Sequence, residues 1–576
     1  MFLHGLRTTG YYAGLTALKI SMQKKIAARA AGDWWRGALI YQVYPRSFQD
    51  SNRDGIGDLP GIISRLDYIA GLGVDAIWIS PFFRSPMKDF GYDVEDYRDV
   101  DPMFGTREDF LQLLNRSHQL GLRVIIDQVI SHTSDQHPWF RESRGSRDNP
   151  KADWYVWADP KPDGTPPTNW QSVFGGSAWQ WDARRRQYYL HNFLSSQPDL
   201  NFHHPAVREQ VLDDVRFWCQ HGVDGFRFDA CNFHFHDRQL RDNPPAAADA
   251  RVASVRADNP YSMQRHLHDK NQPENIDFLR QLRQILDASE AVSLGEVGDE
   301  DALTLMAAYT GGGDKLHMAY SFNLLTPTFS AAHIRAEVEE LENHLAATGG
   351  WGCWSLSNHD VPRVLSRWGK GLVDQQAEPQ AGRRMACVLL AMVCSLRGSA
   401  CIYQGEELGL TEADIPFELL RDPYGINFWP EFKGRDGCRT PMPWSANQPH
   451  GGFTDVPPWL PVPTEHLPWS VAAQHAERDS VLNFFRNFTT WRRAHPALAI
   501  GDIRFFDVPE PVLMFSRTLG DQRLLAAFNL GPRAVAVDMP ASTMALDGHG
   551  LTGSIDTGGK LALDGFGGFF GRLQTS

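Results

Sequence analysis

The stretch VDGFRFD, from Val223 to Asp229, is a short β-rich segment that ends in a carboxylate. Seven other segments of this kind occur along the chain, and amphipathic helical patterns follow most of them. They are ALIYQVYPRSF from Ala38, VDAIWISP from Val74, LRVIIDQVISH from Leu122, AVSLGEVG from Ala291, HMAYSFNL from His317, GCWSLSNHD from Gly352 and SACIYQGEELG from Ser399. Such alternation is typical of βα units around a parallel sheet. Eight units close a barrel, so the sequence predicts a (β/α)8 TIM barrel with its active site at the C-terminal ends of the strands.

Two connections are longer than βα loops usually are, and they indicate additions to the barrel. Residues 133–205 are rich in Trp, Pro, Asp and Gly and predict an inserted domain after the third strand. Residues from about 407 to 478 contain Pro-rich stretches and predict a lid or subdomain. From 501 to 576 the pattern changes to alternating strands between Gly and Pro turns, which predicts an all-β C-terminal sandwich. The barrel would then comprise residues 33–132 and 206–500.

The composition limits the classes of partner and compartment. The chain carries a net charge of −13, which argues against a polyanionic partner such as nucleic acid. No apolar run approaches the roughly 18 residues of a membrane span. The seven cysteines form no CxxC pair, which favours reduced thiols and a cytoplasmic location. Residues 1–32 are basic and contain no acid, and we expect a disordered extension without a role in the chemistry.

Three carboxylates occupy corresponding positions on the predicted strands. Asp229 ends the fourth strand, Glu296 lies within the fifth, and Asp360 follows the seventh. A single such acid is as easily a solvated turn residue or a helix cap, but acids are uncommon in strands and costly to bury. Because the C-terminal ends of barrel strands converge on one pocket, we expect the three side chains to lie together.

Cleavage of a glycosidic bond requires two carboxylates in different protonation states. Arg227 lies two residues before Asp229, hence on the same face of a strand, and we expect its guanidinium to keep Asp229 ionised. The apolar surroundings of Glu296 predict a raised pKa and a protonated acid at neutral pH. Asp360 follows His359 and is predicted to bind sugar hydroxyls and to stabilise positive charge on the ring.

Four motifs give these acids a family context. DQVISH, GFRFD, GEV and SNHD resemble, in order and spacing, the four signature regions of the α-amylase superfamily, glycoside hydrolase family 13. The resemblance implies a retaining mechanism through a covalent glycosyl-enzyme and no organic cofactor. Asp229, Glu296 and Asp360 match the family's nucleophile, general acid/base and transition-state stabiliser. The implied substrate contacts are Asp93 in GYDV, His132, Arg227 and His359. Without the resemblance, Asp93 could equally be a turn residue and His132 a helix cap.

Further segments resemble the oligo-1,6-glucosidase subfamily, which includes many α-glucosidases and sucrose isomerases. QPDLN from Gln197 is similar to its fifth-region marker, and GRDGCRTPMPW from Gly434 is similar to its late loop. Arg435 in that loop is implied to contact the terminal glucose, with a surface ion pair as the alternative. Phe174 in SVFGG is implied to stack on sugar, with core packing under the inserted domain as the alternative.

Ala230 directly follows the predicted nucleophile and should line the rim where the second sugar or aglycone lies. Relatives that favour α-1,6 bonds tend to have Val there, whereas those that prefer α-1,4 bonds resemble this chain in carrying a smaller or polar residue. A β-branched side chain narrows the space beside the scissile oxygen. We therefore predict a preference for α-1,4 bonds and room for bulky acceptors.

The segment DSNRDGIGD, which starts at Asp50, has the residue types of a cation-binding loop. Alternate residues of a tight loop point inward, and a glycine permits the sharp turn. The predicted ligands are the side chains of Asp50, Asn52, Asp54 and Asp58 and the carbonyl of Ile56. The alternative is a polar turn, whereas the family resemblance implies a structural Ca²⁺ or Mg²⁺ away from the carboxylates.

The leading hypothesis is a retaining, exo-acting α-glucosidase that hydrolyses terminal α-1,4-linked glucose from maltose-like and other short α-glucosides and transfers glucose to alcohols or phenols. A sucrose isomerase, a trehalose-forming enzyme or an oligo-1,6-glucosidase would share these motifs. A non-catalytic relative, such as a transporter subunit, would be expected to lack a carboxylate and to carry a membrane span. We expect small α-glucosides and acceptors as partners, and a monomer or homodimer.

Overall fold

The protein is described by a computed structural model over residues 33–247, 255, 258–373, 378–540 and 543–574, so the predicted basic extension at 1–32 lies outside the described residues. All eight predicted barrel strands are present. They are β1 Leu39–Val43, β2 Ala76–Ile79, β3 Arg123–Gln128, β4 Gly225–Phe228, β5 Val292–Val297, β6 Met318–Ser321, β7 Cys353–Ser355 and β8 Ser399–Tyr403. Their order is β6-β5-β4-β3-β2-β1-β8-β7, and every neighbouring pair is parallel. A parallel bridge between Ala319 and Gly352 joins β6 to the start of β7 and closes the barrel.

One long helix separates each strand from the next, and a last one follows β8. These helices are α1 Leu59–Gly71, α2 Arg107–Gln119, α3 Pro205–Gln220, α4 Glu274–Ala288, α5 Ala302–Thr310, α6 Ala331–Thr348, α7 Pro379–Val393 and α8 Val481–Arg493. Local sequence fixes several ends: Thr106 and Asp109 form a capping box at the start of α2, and Gly349 ends α6 in the left-handed region with φ 72°. Shorter helices span Pro138–Ser143, Val364–Gly369, Pro423–Asn427, Val471–Ala476 and Ala497–Ile500.

The strands are buried on both faces, which is why they are apolar without strict alternation. Residues such as Ile77 and Ile126 face the helices and belong to the main core. Their neighbours Trp78 and Ile125 belong to a second cluster, to which Trp34 and Trp35 contribute from the segment before β1. The two sets alternate along each strand, as the period of two requires, and the second set fills the barrel interior.

The connection after β3 forms the inserted domain. Its antiparallel sheet contains Trp157–Ala158, Trp179–Asp182 and Gln187–Leu190. It has a small core of its own that includes Trp170 and Trp179, so part of the tryptophan content of this segment serves packing. A two-stranded sheet of Phe83–Arg84 and Asp96–Val100 lies in the connection after β2.

The C-terminal part is all-β, as predicted. It contains β9 Asp502–Phe505, β10 Val512–Leu519, β11 Gln522–Asn529, β12 Val535–Val537, β13 Thr543–Ala545, β14 Ser554–Ile555, β15 Leu561–Leu563 and β16 Gly568–Leu573. The five-stranded sheet β9-β10-β11-β16-β13 and the three-stranded sheet β12-β15-β14 share one apolar core. Within the described ranges no helix has the length and apolarity that crossing a bilayer demands.

Candidate active site

The three predicted carboxylates line one pocket at the C-terminal end of the barrel. Asp229 directly follows β4, Glu296 is the fifth residue of β5, and Asp360 lies on the loop after β7. Asp229 and Glu296 are buried, whereas 24 % of the Asp360 side chain is exposed to the pocket. The structure therefore brings together three acids that are up to 131 positions apart in the sequence (360 minus 229).

Arg227, in the middle of β4, connects the acids through its guanidinium. Its Nη1 donates to Oδ1 of Asp127 at 2.9 Å and to Oδ1 of Asp229 at 2.6 Å. Its Nη2 donates to Oε1 of Glu296, and the Tyr320 hydroxyl donates to the same oxygen at 2.7 Å. One fully buried guanidinium thus fixes the carboxylates of Asp127 in β3, Asp229 just after β4 and Glu296 in β5 relative to one another.

Burial determines the order in which the two central acids lose their protons. It raises the pKa of Asp229 to about 6, against the opposing charge of Arg227. It raises the pKa of Glu296 to about 7, as the apolar sequence around this residue predicts. Arg227 opposes this effect of burial, although its guanidinium is shared among three acids, and Asp229 remains mostly ionised at neutral pH. Asp229 therefore ionises before Glu296.

Asp360 has the opposite electrostatic environment. Burial alone would raise its pKa, but its contacts with His359, Arg435 and Arg439 hold the pKa well below its usual range. Its Oδ1 accepts from Nη2 of Arg439 at 3.0 Å and from Nη1 of Arg435 at 3.2 Å. Burial lowers the pKa of His359 to about 3, so this imidazole is neutral and the two arginines supply the positive charge. Asp360 is therefore ionised.

A polar wall of the pocket contains Asp89, His132, Gln197 and Arg435. Nη2 of Arg435 donates to Oδ1 of Asp89 at 2.8 Å, and Nε2 of Gln197 donates to the other Asp89 oxygen at 3.0 Å. His132 is buried, which lowers its pKa to about 4 and leaves a neutral ring. Arg435 therefore bridges Asp89 and Asp360, and is a buried residue of the pocket rather than part of a surface ion pair.

Asp93 does not line the pocket, which corrects the prediction for this residue. Its carboxylate is fully buried and accepts hydrogen bonds from the Ser85 hydroxyl and from the backbone amides of Lys88 and Asp89. It orders the turn that carries Asp89, and Asp89 faces the pocket instead. Arg227 and His359 are likewise fully buried and lie behind the lining residues.

Residues 42–501, which include all of β2–β8 and every long barrel helix, match the family of α-amylase catalytic domains. The chain belongs to the α-amylase family, glycoside hydrolase family 13. It is 55 % identical over 545 residues to a probable α-glucosidase of Rhizobium meliloti, covering 94 % of this chain and 97 % of that protein. It is 36 % identical over 548 residues to the oligo-1,6-glucosidase of Heyndrickxia coagulans, with coverages of 88 % and 94 %. These relatives place it in the α-glucosidase subfamily.

Solved structures agree with this membership. The crystal structure of the α-glucosyl transfer enzyme XgtA superposes with a TM-score of 0.91 at 56 % identity, covering 94 % of this chain and 99 % of that one. The trehalulose synthase MutB of Pseudomonas mesoacidophila superposes with a TM-score of 0.84 at 32 % identity, with coverages of 94 % and 99 %. This member of glycoside hydrolase family 13 is therefore an enzyme that processes small glucosides.

The remaining walls of the pocket are aromatic. Their rings are Phe174, Phe193, Phe233, Tyr261, Phe322 and Tyr424. The Arg435 guanidinium lies 5.2 Å from the ring centre of Phe174, so this ring both lines the pocket and packs against the polar wall. Ala230 also lines the pocket, with a positive φ of 42°, and its amide donates to Oε2 of Glu296 at 3.2 Å.

Reasoning from the sequence missed four residues of this family 13 site. Asp127 begins the motif DQVISH, and its buried carboxylate accepts from Arg227, from the Tyr92 hydroxyl at 3.0 Å and from the Trp78 indole at 3.1 Å. Its position inside an apolar strand could have indicated a buried partner. The other three are Asp89, Gln197 and Tyr92, all close to motifs already noted.

The predicted cation loop lies in the connection between β1 and α1. Both oxygens of Asp50 accept hydrogen bonds, chiefly from amides of the loop itself, and Asp58 caps α1 through the amide of Gly61. Asn52 and Asp54 are exposed, and Ile56 is partly buried. In the part of the chain that the structure describes, no three His, Cys, Asp or Glu side chains form a group that could hold a metal ion. The loop acids are thus directed mainly at the loop's own amides.

Proposed function

We propose that the protein is a retaining, exo-acting α-glucosidase with Asp229 as nucleophile and Glu296 as general acid/base. The observation that carries this proposal is that Arg227 holds the two carboxylates in one pocket while burial raises the pKa of Glu296 above that of Asp229. At neutral pH one acid is then mostly ionised while the other retains a substantial protonated fraction, as the retaining mechanism requires.

In the first step, an ionised oxygen of Asp229 attacks the anomeric carbon, and the bond from that carbon to the leaving oxygen breaks. The Glu296 proton moves to the leaving oxygen, so the aglycone departs as a neutral alcohol. In the second step, Glu296, now ionised, takes a proton from water or from an acceptor alcohol. The oxygen of that molecule displaces Asp229 and restores the α-configuration.

The proposed role of Asp360 is to stabilise the transition state. Its low pKa keeps a negative charge beside the ring while positive charge develops at the anomeric carbon. Asp89, His132 and Arg435 would bind the hydroxyls of the terminal glucose. The bridge from Arg435 to Asp89 and Asp360 connects lining residues into one polar wall of the pocket, and this supports exo action on chain ends.

The proposed substrates are short α-1,4-linked glucosides such as maltose, with transfer to alcohols or phenols as a second outcome. Ala230 supports both proposals because its methyl group leaves room beside the scissile oxygen. The aromatic walls support binding of an apolar aglycone or acceptor in competition with water. The likeness to a trehalulose synthase keeps sucrose isomerisation as the second candidate.

We also propose that the loop from Asp50 to Asp58 takes a structural Ca²⁺ or Mg²⁺. The support is the set of oxygen ligands on one tight loop, together with its sharp turn at Gly55, φ 86°. An added Cβ on Gly55 would lie 2.4 Å from the Pro457 carbonyl oxygen, so the turn requires glycine. Such an ion would stabilise the loop and would take no part in the chemistry.

A substrate panel tests the activity directly. Maltose, isomaltose, sucrose, trehalose and an aryl α-glucoside are incubated with the enzyme, and the products are separated by chromatography. We expect glucose from maltose faster than from isomaltose, and glucose plus fructose from sucrose. Isomeric disaccharides as the main products from sucrose would instead support the isomerase.

A further inference from the structure

We propose that Tyr320 is a positioning residue for the general acid: it holds one oxygen of Glu296, Oε1, so that the other oxygen, Oε2, carries the proton that is transferred. The inference rests on the proposed role of Glu296 as general acid/base and specifies which of its atoms performs that role. Tyr320 is 1 % exposed and does not line the pocket, so it acts through Glu296 and not on the sugar.

The register of the barrel strands brings the Tyr320 hydroxyl to Glu296. Tyr320 is the third residue of β6 and Glu296 the fifth of β5, and the two are direct partners across these parallel strands. Side chains at partnered positions of neighbouring strands point to the same face, here the barrel interior. The Tyr320 ring belongs to the apolar cluster of that interior and its centre lies 6.1 Å from that of the Trp78 ring. This packing holds the hydroxyl in one place.

The direction of the hydrogen bonds around Oε1 follows from Arg227, which has donors and no acceptor. Nη2 and Nε of Arg227 donate to the Tyr320 hydroxyl oxygen at 2.9 Å and 3.3 Å, so the hydroxyl proton points away from the guanidinium. It is donated to Oε1 of Glu296 at 2.7 Å, and Nη2 of Arg227 donates to the same oxygen. The nearby Cys231 thiol donates to the backbone carbonyl of Glu296 and not to its carboxyl group. Oε1 therefore accepts from two donors.

A proton on Glu296 consequently belongs on Oε2. A proton on Oε1 would point at the Arg227 guanidinium or at the Tyr320 hydroxyl, whose oxygen already accepts from Arg227. Among the described residues, Oε2 accepts a single hydrogen bond, from the Ala230 amide at 3.2 Å, and Ala230 lines the pocket. A carboxyl group with Oε1 held by two donors and a proton on Oε2 is oriented to protonate a leaving oxygen in that pocket.

The same hydrogen bond serves the second step, in which Glu296 is ionised and takes a proton from water or an acceptor. A donor that faces an ionised carboxylate stabilises the ionised form, so the Tyr320 hydroxyl favours it. Burial is the main reason that the pKa of Glu296 is raised to about 7, and Arg227 opposes burial most strongly. Asp229 and Asp360 raise this pKa further, whereas Tyr320 lowers it. Tyr320 thus helps Glu296 both to give and to take a proton near neutral pH.

The first test is Tyr320→Phe, which removes the hydroxyl and keeps the ring. Loss of this hydrogen bond destabilises ionised Glu296, so the fall of kcat/KM for maltose on the alkaline side should move up by about one pH unit. Tyr403→Phe is the matched control and should not move it, because Tyr403 is also a fully buried barrel tyrosine but donates to the Cys438 carbonyl. A lower kcat/KM at every pH in Tyr320→Phe, with the fall at an unchanged pH, would overturn the inference.

The second test locates the oxygen that transfers the proton. A crystal structure of Asp229→Asn with bound maltose should place the glycosidic oxygen about 3 Å from Oε2 of Glu296 and farther from Oε1. A glycosidic oxygen nearer to Oε1 would refute the assignment of Oε2. Failure of the proposed function gives a different result: if kcat/KM of the unmodified enzyme does not fall on the alkaline side, Glu296 is not the acid. A fall that Tyr320→Phe leaves at the same pH refutes only the role of Tyr320.

Discussion

At the scale of single residues, the proposed chemistry depends on the protonation of Asp229 and Glu296. The active form has Asp229 ionised and Glu296 protonated. Because burial raises the pKa of Asp229 to about 6 and that of Glu296 to about 7, kcat/KM for maltose should rise as pH passes about 6 and fall above about 7. A profile that is flat or still rising at alkaline pH would contradict this assignment.

Replacing Glu296 separates the acid from the nucleophile. Glu296→Gln removes the proton donor, so we expect a loss of about 10²- to 10⁴-fold on maltose but a much smaller loss on an aryl glucoside whose leaving group needs no proton. Asp229→Asn is the matched control and should abolish turnover of both substrates. Equal losses on both substrates in Glu296→Gln, measured as kcat/KM, would argue against Glu296 as the acid.

Ala230→Val tests the origin of linkage preference. The larger side chain should lower kcat/KM for maltose and raise kcat/KM for isomaltose relative to that for maltose. The change in the ratio of the two values should correspond to about 1 to 3 kcal/mol. The positive φ of 42° at this position disfavours a β-branched residue, so the melting temperature should also fall. The ratio of the two kcat/KM values is therefore the measurement, with Ala230→Ser as the control. An unchanged ratio would assign linkage choice to the loop at 407–478.

The sequence predicted the three carboxylates, but three of the predicted substrate contacts, Asp93, Arg227 and His359, lie outside the pocket lining. In the segment DFGYD, two acids lie four residues apart, Asp89 and Asp93, and either could face the pocket. Phe90 and Gly91 both have positive φ, 53° and 107°, so the segment is a turn without the periodicity of a helix or strand. Periodicity is what relates sequence position to direction, and without it the facing residue is set by contacts distant in sequence.

At the scale of elements, regular and irregular segments differ in how much could be predicted. The strands and long helices were predictable because their apolar residues repeat with a fixed period. The sequence indicated that Arg435 belongs to the site, but its partners Asp89 and Asp360 lie 346 and 75 positions away. No local pattern in the irregular loop that carries Arg435 indicates those pairings.

The loop from Asp50 to Asp58 supports a prediction about stability. If it binds a structural cation, a chelator should lower the melting temperature by roughly 2 to 5 °C, because bound ligand stabilises only the folded state. The initial rate at low temperature should remain unchanged. Asp54→Asn, which weakens the site, should reduce the effect of the chelator. An immediate loss of activity in the cold, with no change in melting temperature, would contradict a structural ion.

At the scale of the whole molecule, the barrel explains why acids distant in sequence act together. Strands β4 and β5 are neighbours in the sheet, and Arg227 of one holds Glu296 of the other. The number of βα units could be counted in the sequence, and closure of the barrel then follows from the geometry of eight parallel strands. The shape of the pocket could not be predicted from the sequence, because the connections after β2, β3, β4 and β8 all contribute to its walls.

The configuration of the first product tests the central proposal most directly. In a retaining mechanism, displacement by Asp229 and then by water restores the α-configuration at the anomeric carbon. Proton NMR of the earliest glucose released from maltose or an aryl α-glucoside, recorded before mutarotation, should show the α-anomer in excess. The β-anomer as the first product would contradict a nucleophilic Asp229 and with it the mechanism proposed for this pocket.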